Sequence, residues 1–260
     1  MNQMQKMFSL EGKTAVVTGG SGLYGKQISL GLCQMGAKVI IASRNVKNNE
    51  EYVKELTSQG YKAQSEYLDQ GDEKSILDLV DKLSKEGNID ILVNNAVLRV
   101  GMPYDGDIAL FNKSLEVNGT GIFAMCRAFG NKMAEQGFGS IINIGSYMGL
   151  LGFDDTLYRD CSFSATGAAD YFFHKGGMTN LTRFMASYYG PKGVRCNILQ
   201  PGGFFNNQDP IFVERYNDRT FLKRMANETD LVGAVVFLAS DASAYLTGTV
   251  IPVDGGYTAK

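Results

Sequence analysis

The chain has 260 residues, 44% of them apolar and 20% charged, with a formal net charge of −2. That composition is globular, and the near-neutral charge gives no basic footprint for nucleic acid. No apolar run approaches the roughly 18 residues of a membrane helix, and the start MNQMQKMFSLEGK lacks a signal peptide's apolar core. A cytoplasmic protein is therefore expected, with no membrane or nucleic-acid partner. Four cysteines, at 33, 126, 161 and 196, show no paired spacing, and one histidine rules out a multi-histidine metal site. No metal is expected. Glycine is abundant, with 31 residues, about 12% against an average of roughly 7%.

In chain order, the run KTAVVT at 13–18 predicts a strand that ends in glycines. A helix follows over 26–35, stopped by Gly36. Strand-like KVIIA at 38–42 leads to a polar helix over 46–59, stopped by Gly60. A third strand is expected at 62–67, a helix at 73–85 and a strand at 90–93. A long helical region spans 110–135, then a strand at 140–144, a helix at 170–189 and a strand at 194–199. A helix over 230–239 and a strand at 248–253 complete the pattern. Near-continuous apolar strands alternating with long helices imply a parallel sheet buried on both faces. The expected fold is α/β: a Rossmann-type doubly wound parallel sheet of about seven strands with helices on both faces. No repeat or Pro/Ser linker interrupts it, so one domain over 1–260 is expected.

The first strand runs into Thr18, Gly19, Gly20, Ser21, Gly22, Leu23, Tyr24 and Gly25, and then a helix. Glycine lets backbone approach a pyrophosphate, and the helix N-terminus supplies free N–H groups for it. Gly19, Ser21, Gly22, Leu23, Tyr24 and Gly25 are the expected cradle. At the end of the second strand, a carboxylate would bind a ribose 2′-hydroxyl and repel a 2′-phosphate. Here Ser43 and Arg44 stand instead, and Arg44 offers a forked donor for a phosphate. NADP(H) is predicted over NAD(H), with NAD(H) as the alternative.

Further motifs follow in order: Asn94-Asn95-Ala96, Asn118 in VNGTG, Ser146 in INIGS, Tyr171-Phe-Phe-His-Lys175, Pro201-Gly202 and VDGG at the end. Together with the glycine loop, they resemble a short-chain dehydrogenase/reductase of the classical kind over nearly the whole length. Tyr171 and Lys175, four apart, share a helix face. A phenol ordinarily titrates near pH 10, and a nearby ammonium favours its phenolate. Tyr171 is then a workable general acid or base for a carbonyl and its alcohol. Ser146, at a strand end, can donate to the substrate oxygen. The resemblance implies that Asn118 holds a relay water and that Lys175 also holds the nicotinamide ribose. It further implies that Asp69 meets the adenine, that Asn95 lines the adenosine cleft, and that backbone after Pro201-Gly202 meets the carboxamide.

The chain departs from the family pattern at several points. Leu23 stands where the middle glycine of T-G-x-x-x-G-x-G belongs, so the loop also fits T-G-x-x-G-x-x-G of extended members. Val97 follows Asn-Asn-Ala in place of glycine, and Asn206 stands where a threonine often contacts the cofactor. The interval from Ser146 to Tyr171 is long, with additional chain over roughly 153–169. It holds Asp154, Asp155, Arg159 and Asp160, and is either a substrate wall or a surface decoration. Tyr158 has the family's usual spacing from Ser146 but no lysine after it, so Tyr171 is chosen. His174 is expected to point away from the Tyr171–Lys175 face, as a packed or interface residue.

The stretch 204–225 is read as a lid. Its Arg215, Arg219, Lys223 and Arg224 form either a solvated face or an attraction for an anionic substrate. Arg99 is another candidate substrate contact. Within the resemblance, two long helices over 110–135 and 170–189 would build a homodimer or homotetramer. The expected activity is an NADP(H)-dependent oxidoreductase on a small polar substrate such as a sugar, sugar acid or polyol. The alternatives are a nucleotide-sugar epimerase or dehydratase with retained cofactor, and a non-catalytic cofactor-sensing protein.

Overall fold

A computed structural model describes residues 1–162 and 168–259. Seven strands form one sheet: β1 (Thr14–Thr18), β2 (Lys38–Ser43), β3 (Ala63–Tyr67), β4 (Ile91–Asn94), β5 (Gly139–Ile144), β6 (Val194–Pro201) and β7 (Val250–Val253). They pair in parallel in the order β3-β2-β1-β4-β5-β6-β7. The chain builds outward from β1 in one direction, then returns to its other side with β4. That reversal puts helices on both faces and opens a crevice at the strands' carboxyl ends.

The helices are α1 (Gln3–Phe8), α2 (Leu23–Gln34), α3 (Val46–Ser58), α4 (Glu73–Glu86), α5 (Ile108–Leu115), α6 (Gly121–Gln136), α7 (Ala169–Tyr189), α8 (Pro210–Arg219) and α9 (Val232–Ala239). Successive strand residues face opposite sides. Thus Val16, Ile40, Leu92, Ile141 and Ile198 pack with α4, α6 and α7. Val17, Ile41, Val93, Ile142 and Leu199 pack with α2, α3 and α9. A third cluster joins Tyr147, Leu157, Phe212, Tyr216, Met225 and Tyr257 outside the sheet.

Two helices were not singled out by periodicity: α1, a single capped turn and a half, and α8 within the lid stretch. The expected helical region over 110–135 is broken by a π turn, Glu116–Thr120, between α5 and α6. Of the additional chain at 153–169, the described part holds a 3-10 turn, Asp155–Leu157; residues 163–167 lie outside the described residues. No described helix is long and apolar enough to cross a membrane.

Candidate active site

The glycine loop lies at the end of β1, beside the β1–β4 split. Gly19 has φ of +62°, where a side chain is strained, and a Cβ on Gly25 would lie 2.1 Å from the Gly19 carbonyl oxygen. Gly22 caps α2 without a side-chain bond, so no side chain caps the first helical amides. Leu23 is exposed at the first helical position. The Tyr24 ring packs edge-on against Phe204 at 4.9 Å, and its buried hydroxyl has no partner among the described residues. Burial, then Asp230 and Tyr171, raise the Tyr24 phenol.

Ser21 and Ser43 both donate to Asn49 Oδ1, at 2.8 and 2.9 Å. Arg44 is exposed at the end of β2, with no ion pair among the described residues. Asp69 Oδ1 accepts the Gly71 amide at 2.9 Å. The Asn95 side chain donates to the Thr18 and Gly19 carbonyls at 3.0 and 3.2 Å, so it braces the glycine loop. Gly202 lies against Asp254 and the Tyr216 hydroxyl, where a Cβ would be crowded. A glycine cradle, helix amides without a cap, an orphaned hydroxyl and a free guanidinium together fit a dinucleotide.

Across the crevice, Ser146 follows β5 and caps the 3-10 turn Tyr147–Gly149, its Oγ accepting the Met148 amide at 3.2 Å. The Ser146 amide donates to Gln200 Oε1, and Gln200 Nε2 donates to Thr179 Oγ1 at 2.9 Å. Gln200 therefore ties the serine to α7. Lys175 is buried on α7, and its Nζ donates to the Ile144 carbonyl at 2.7 Å. The same Nζ lies 5.6 Å from the centre of the Tyr171 ring. Asn118 sits inside the π turn. Its Nδ2 donates to the Leu98 carbonyl and its Oδ1 accepts the Leu98 amide, both at 2.8 Å.

His174 requires a correction. Its ring packs edge-on against Tyr171 at 5.1 Å instead of pointing away from it. The reason is simple: residues three apart on a helix are surface neighbours. His174 is 3% exposed and neither ring nitrogen has a partner among the described residues. Burial, then Lys175 and Arg99, push its pKa down to about 3. Arg99 lies over the Tyr171 ring at 5.0 Å. Tyr158 belongs elsewhere. It stacks on Phe153 at 5.6 Å and touches Phe212, while burial pushes its phenol up to about 12 against the opposing effect of its hydrogen bond with Tyr147.

The lid cations are all paired. Arg215 reaches Asp160 at 3.2 Å, Arg219 Asp154 at 2.9 Å, Lys223 Asp218 at 3.7 Å and Arg224 Asp230 at 2.5 Å. Lys223 and Arg224 are paired within their own segment, whereas Arg215 and Arg219 clamp α8 to the described part of the additional chain. Asp154, Leu157 and Tyr158 of that chain line a cavity of 160 Å³ with Tyr147, Gly152 and Phe172. Asn49 and Gln200 carry no sequence signal, because neither belongs to a motif and Ser21 and Ser146 reach them from 28 and 54 residues away.

A nucleotide cradle facing a tyrosine–lysine pair and a strand-end serine defines a nicotinamide-dependent oxidoreductase site. The family model described as enoyl-(acyl carrier protein) reductase matches residues 22–258. The chain belongs to the short-chain dehydrogenase/reductase family, and it is an oxidoreductase acting on CH–OH groups. It is 32% identical to the gluconate 5-dehydrogenase of Gluconobacter oxydans (strain 621H), covering 97% of each chain. It is 30% identical to the L-tagatose-forming galactitol 2-dehydrogenase of Cereibacter sphaeroides, again over 97% of each. Among solved structures, gluconate 5-dehydrogenase from Burkholderia cenocepacia J2315, in complex with NADP and tartrate, superposes with a TM-score of 0.90. That pair is 29% identical over 99% of this chain and all of the other.

Lys175 makes the site's stability pH-dependent. Burial, then Arg99, push its pKa down to about 7. An unfolded lysine titrates near pH 10.4. Between those values the unfolded chain binds more protons, so the stability contributed here rises with pH. Lys175→Met removes this dependence. In urea titrations without cofactor, wild type is expected to be weakest relative to the variant at about pH 6.5, and to gain on it up to about pH 9.5.

Proposed function

We propose that the protein is an NADP(H)-preferring dehydrogenase that interconverts a carbonyl and a secondary alcohol on a small polyhydroxy substrate, with Tyr171 as general acid and base. The observation that carries this reading is the buried Lys175 ammonium 5.6 Å from the Tyr171 ring. A cation there favours the phenolate during proton transfer. When bound, the nicotinamide supplies or accepts the hydride. Gly19, Ser21, Gly22, Leu23, Tyr24 and Gly25 would hold the pyrophosphate side, with Asn95 bracing the loop and Asp69 at the adenine. Gly202 would leave backbone free to meet the carboxamide.

The Ser146 oxygen accepts from the Met148 amide, so its proton remains free to donate to the substrate oxygen. Tyr171 exchanges a proton with that same oxygen. The Asn118 side chain is engaged by the loop at Leu98, so its part in a proton relay rests on the backbone of the π turn. Arg44, exposed and without an ion pair, supports the 2′-phosphate of NADP(H).

The substrate reading is a sugar, sugar acid or polyol. With the lid cations paired, Arg99 is the exposed cation without an ion pair, among the described residues, that faces Tyr171. That placement favours a substrate with a carboxylate, and the gluconate and galactitol dehydrogenases among the relatives support a polyhydroxy chain. The cavity walled by the additional chain adjoins Tyr147 and Phe172, next to Ser146 and Tyr171, and fits a substrate wall. We read the assembly as a homodimer or homotetramer, because α5 and α7 expose Phe173 against Phe111, and Phe184 stacked with Tyr188.

A panel of aldonates, polyols and their keto forms, followed by nicotinamide absorbance, tests the activity. Tyr171→Phe is expected to lower kcat/KM by roughly 10²–10⁴-fold with NADPH affinity kept; full activity in that variant would end the mechanism. Calorimetric titration is expected to show tighter NADPH than NADH binding, and Arg44→Asp to reverse the order. Equal or opposite preference in wild type removes the role given to Arg44. Light scattering should find a dimer or tetramer that Phe173→Asp weakens; a wild-type monomer overturns the assembly.

A further inference from the structure

Asp170, one residue before Tyr171, is a buried carboxylate at 4% exposure in the first turn of α7. A carboxylate out of water is costly unless it is hydrogen-bonded. Its Oδ2 accepts the hydroxyl of Ser114, a fully buried residue of α5, at 2.5 Å. That distance is at the short end of the range for an O–H···O hydrogen bond. The Ser114 oxygen in turn accepts from Asn118 Nδ2 at 3.1 Å. Asn118 grips the Leu98 backbone through both amide atoms. The next residue, Arg99, lies over the Tyr171 ring. The path closes on itself: from α7 through α5 and the π turn to the loop after β4, and back to α7.

Tyr171 is only the third residue of its helix, and Ala168 at the cap makes no side-chain bond. Helix ends fray where their amides lack partners. A lateral bond from the first turn to α5 answers that weakness at the place where the phenol must be held. We propose that Asp170 is a positioning residue, acting through Ser114 to keep Tyr171 and Asn118 in register with each other. The proposal rests on the reading of Tyr171 and Asn118 as catalytic residues. An asparagine at 170 retains an oxygen that can accept the Ser114 hydroxyl, whereas alanine does not.

The test is a kinetic double-mutant cycle on the full chain with saturating cofactor, with Tyr171→Phe run beside it. Asp170→Ala and Ser114→Ala are each expected to lower kcat by roughly 10–100-fold, the scale of a misplaced reacting group, with nicotinamide cofactor affinity kept. Asp170→Asn should recover most of kcat. In an Asn118→Ala background, Asp170→Ala should have little further effect, because the path is already cut. Thermal melts separate these effects from unfolding, and Ser114→Ala reports on the same link if Asp170→Ala fails to fold. Effects that multiply independently in the cycle, or unchanged kcat in Ser114→Ala, overturn the proposal. Full activity in Tyr171→Phe would instead overturn the catalytic reading beneath it.

Discussion

An ammonium without solvent is held only where other groups compensate it, and Lys175 has no carboxylate partner among the described residues. What it has is the carbonyl of Ile144 at the end of β5, with the Tyr171 ring beside it. This arrangement fixes much else. The end of β5 must lie against the second turn of α7, so Ser146 is delivered to the tyrosine by the same contact. Gln200, at the end of β6, then locks the serine's amide to Thr179 one turn further along α7. Removing water from Lys175 lowers its pKa to about 7, and the charge it does carry acts on the phenol through little screening water. The same burial makes the site costly to build.

Positive charge around the crevice is distributed unevenly, and the unevenness has a structural cause. Acidic residues of the additional chain, Asp154 and Asp160, neutralise Arg219 and Arg215 while joining that chain to α8. Exposed pairs of this kind contribute about 0–1 kcal/mol each, so they orient more than they stabilise. The packing of Tyr158 against Phe212, and of Tyr147 against Tyr216 and Tyr257, supplies the apolar part of the same joint. Arg99 is left facing Tyr171 with no ion pair among the described residues. The lid stretch and the described part of the additional chain are thus packed and ion-paired to each other, while the cation over the Tyr171 ring comes from the loop after β4.

The alternation of strands and helices was legible because buried parallel strands read as unbroken apolar runs, and glycines mark their ends. The meeting of Tyr171 and Lys175 was legible because residues four apart are neighbours on a helix face. Contacts between distant elements were not. Asp170 meets Ser114 across 56 residues, and Ser146 meets Gln200 across 54. No local period encodes a serine that faces an aspartate on another helix. His174 differs for another reason: it is turned away from its immediate neighbour Lys175, but Tyr171, three residues back, is a helix-surface neighbour and its ring is the one touched. The π turn at Glu116–Thr120 was hidden as well, since one widened turn leaves the apolar pattern of a long helix nearly intact.

The glycine loop shows why two family patterns both fit this chain. A Cβ on Gly25 would drive into the Gly19 carbonyl, and Gly19 itself has a left-handed backbone. Those two positions are fixed by geometry. Gly22 ends the turn at the helix cap, and Leu23 stands exposed at the first helical position, where a side chain meets no obstruction. A Cβ on Gly22 would come within 3.2 Å of the Gly19 carbonyl oxygen, a tight contact but a far milder one than at Gly25. Tyr24 then fills the space with an aromatic ring against Phe204, linking the loop to the segment after Pro201-Gly202. A loop that accepts leucine and tyrosine there keeps its turn because Gly19 and Gly25 are both present, with Gly20 close-packed on Ser29 behind them.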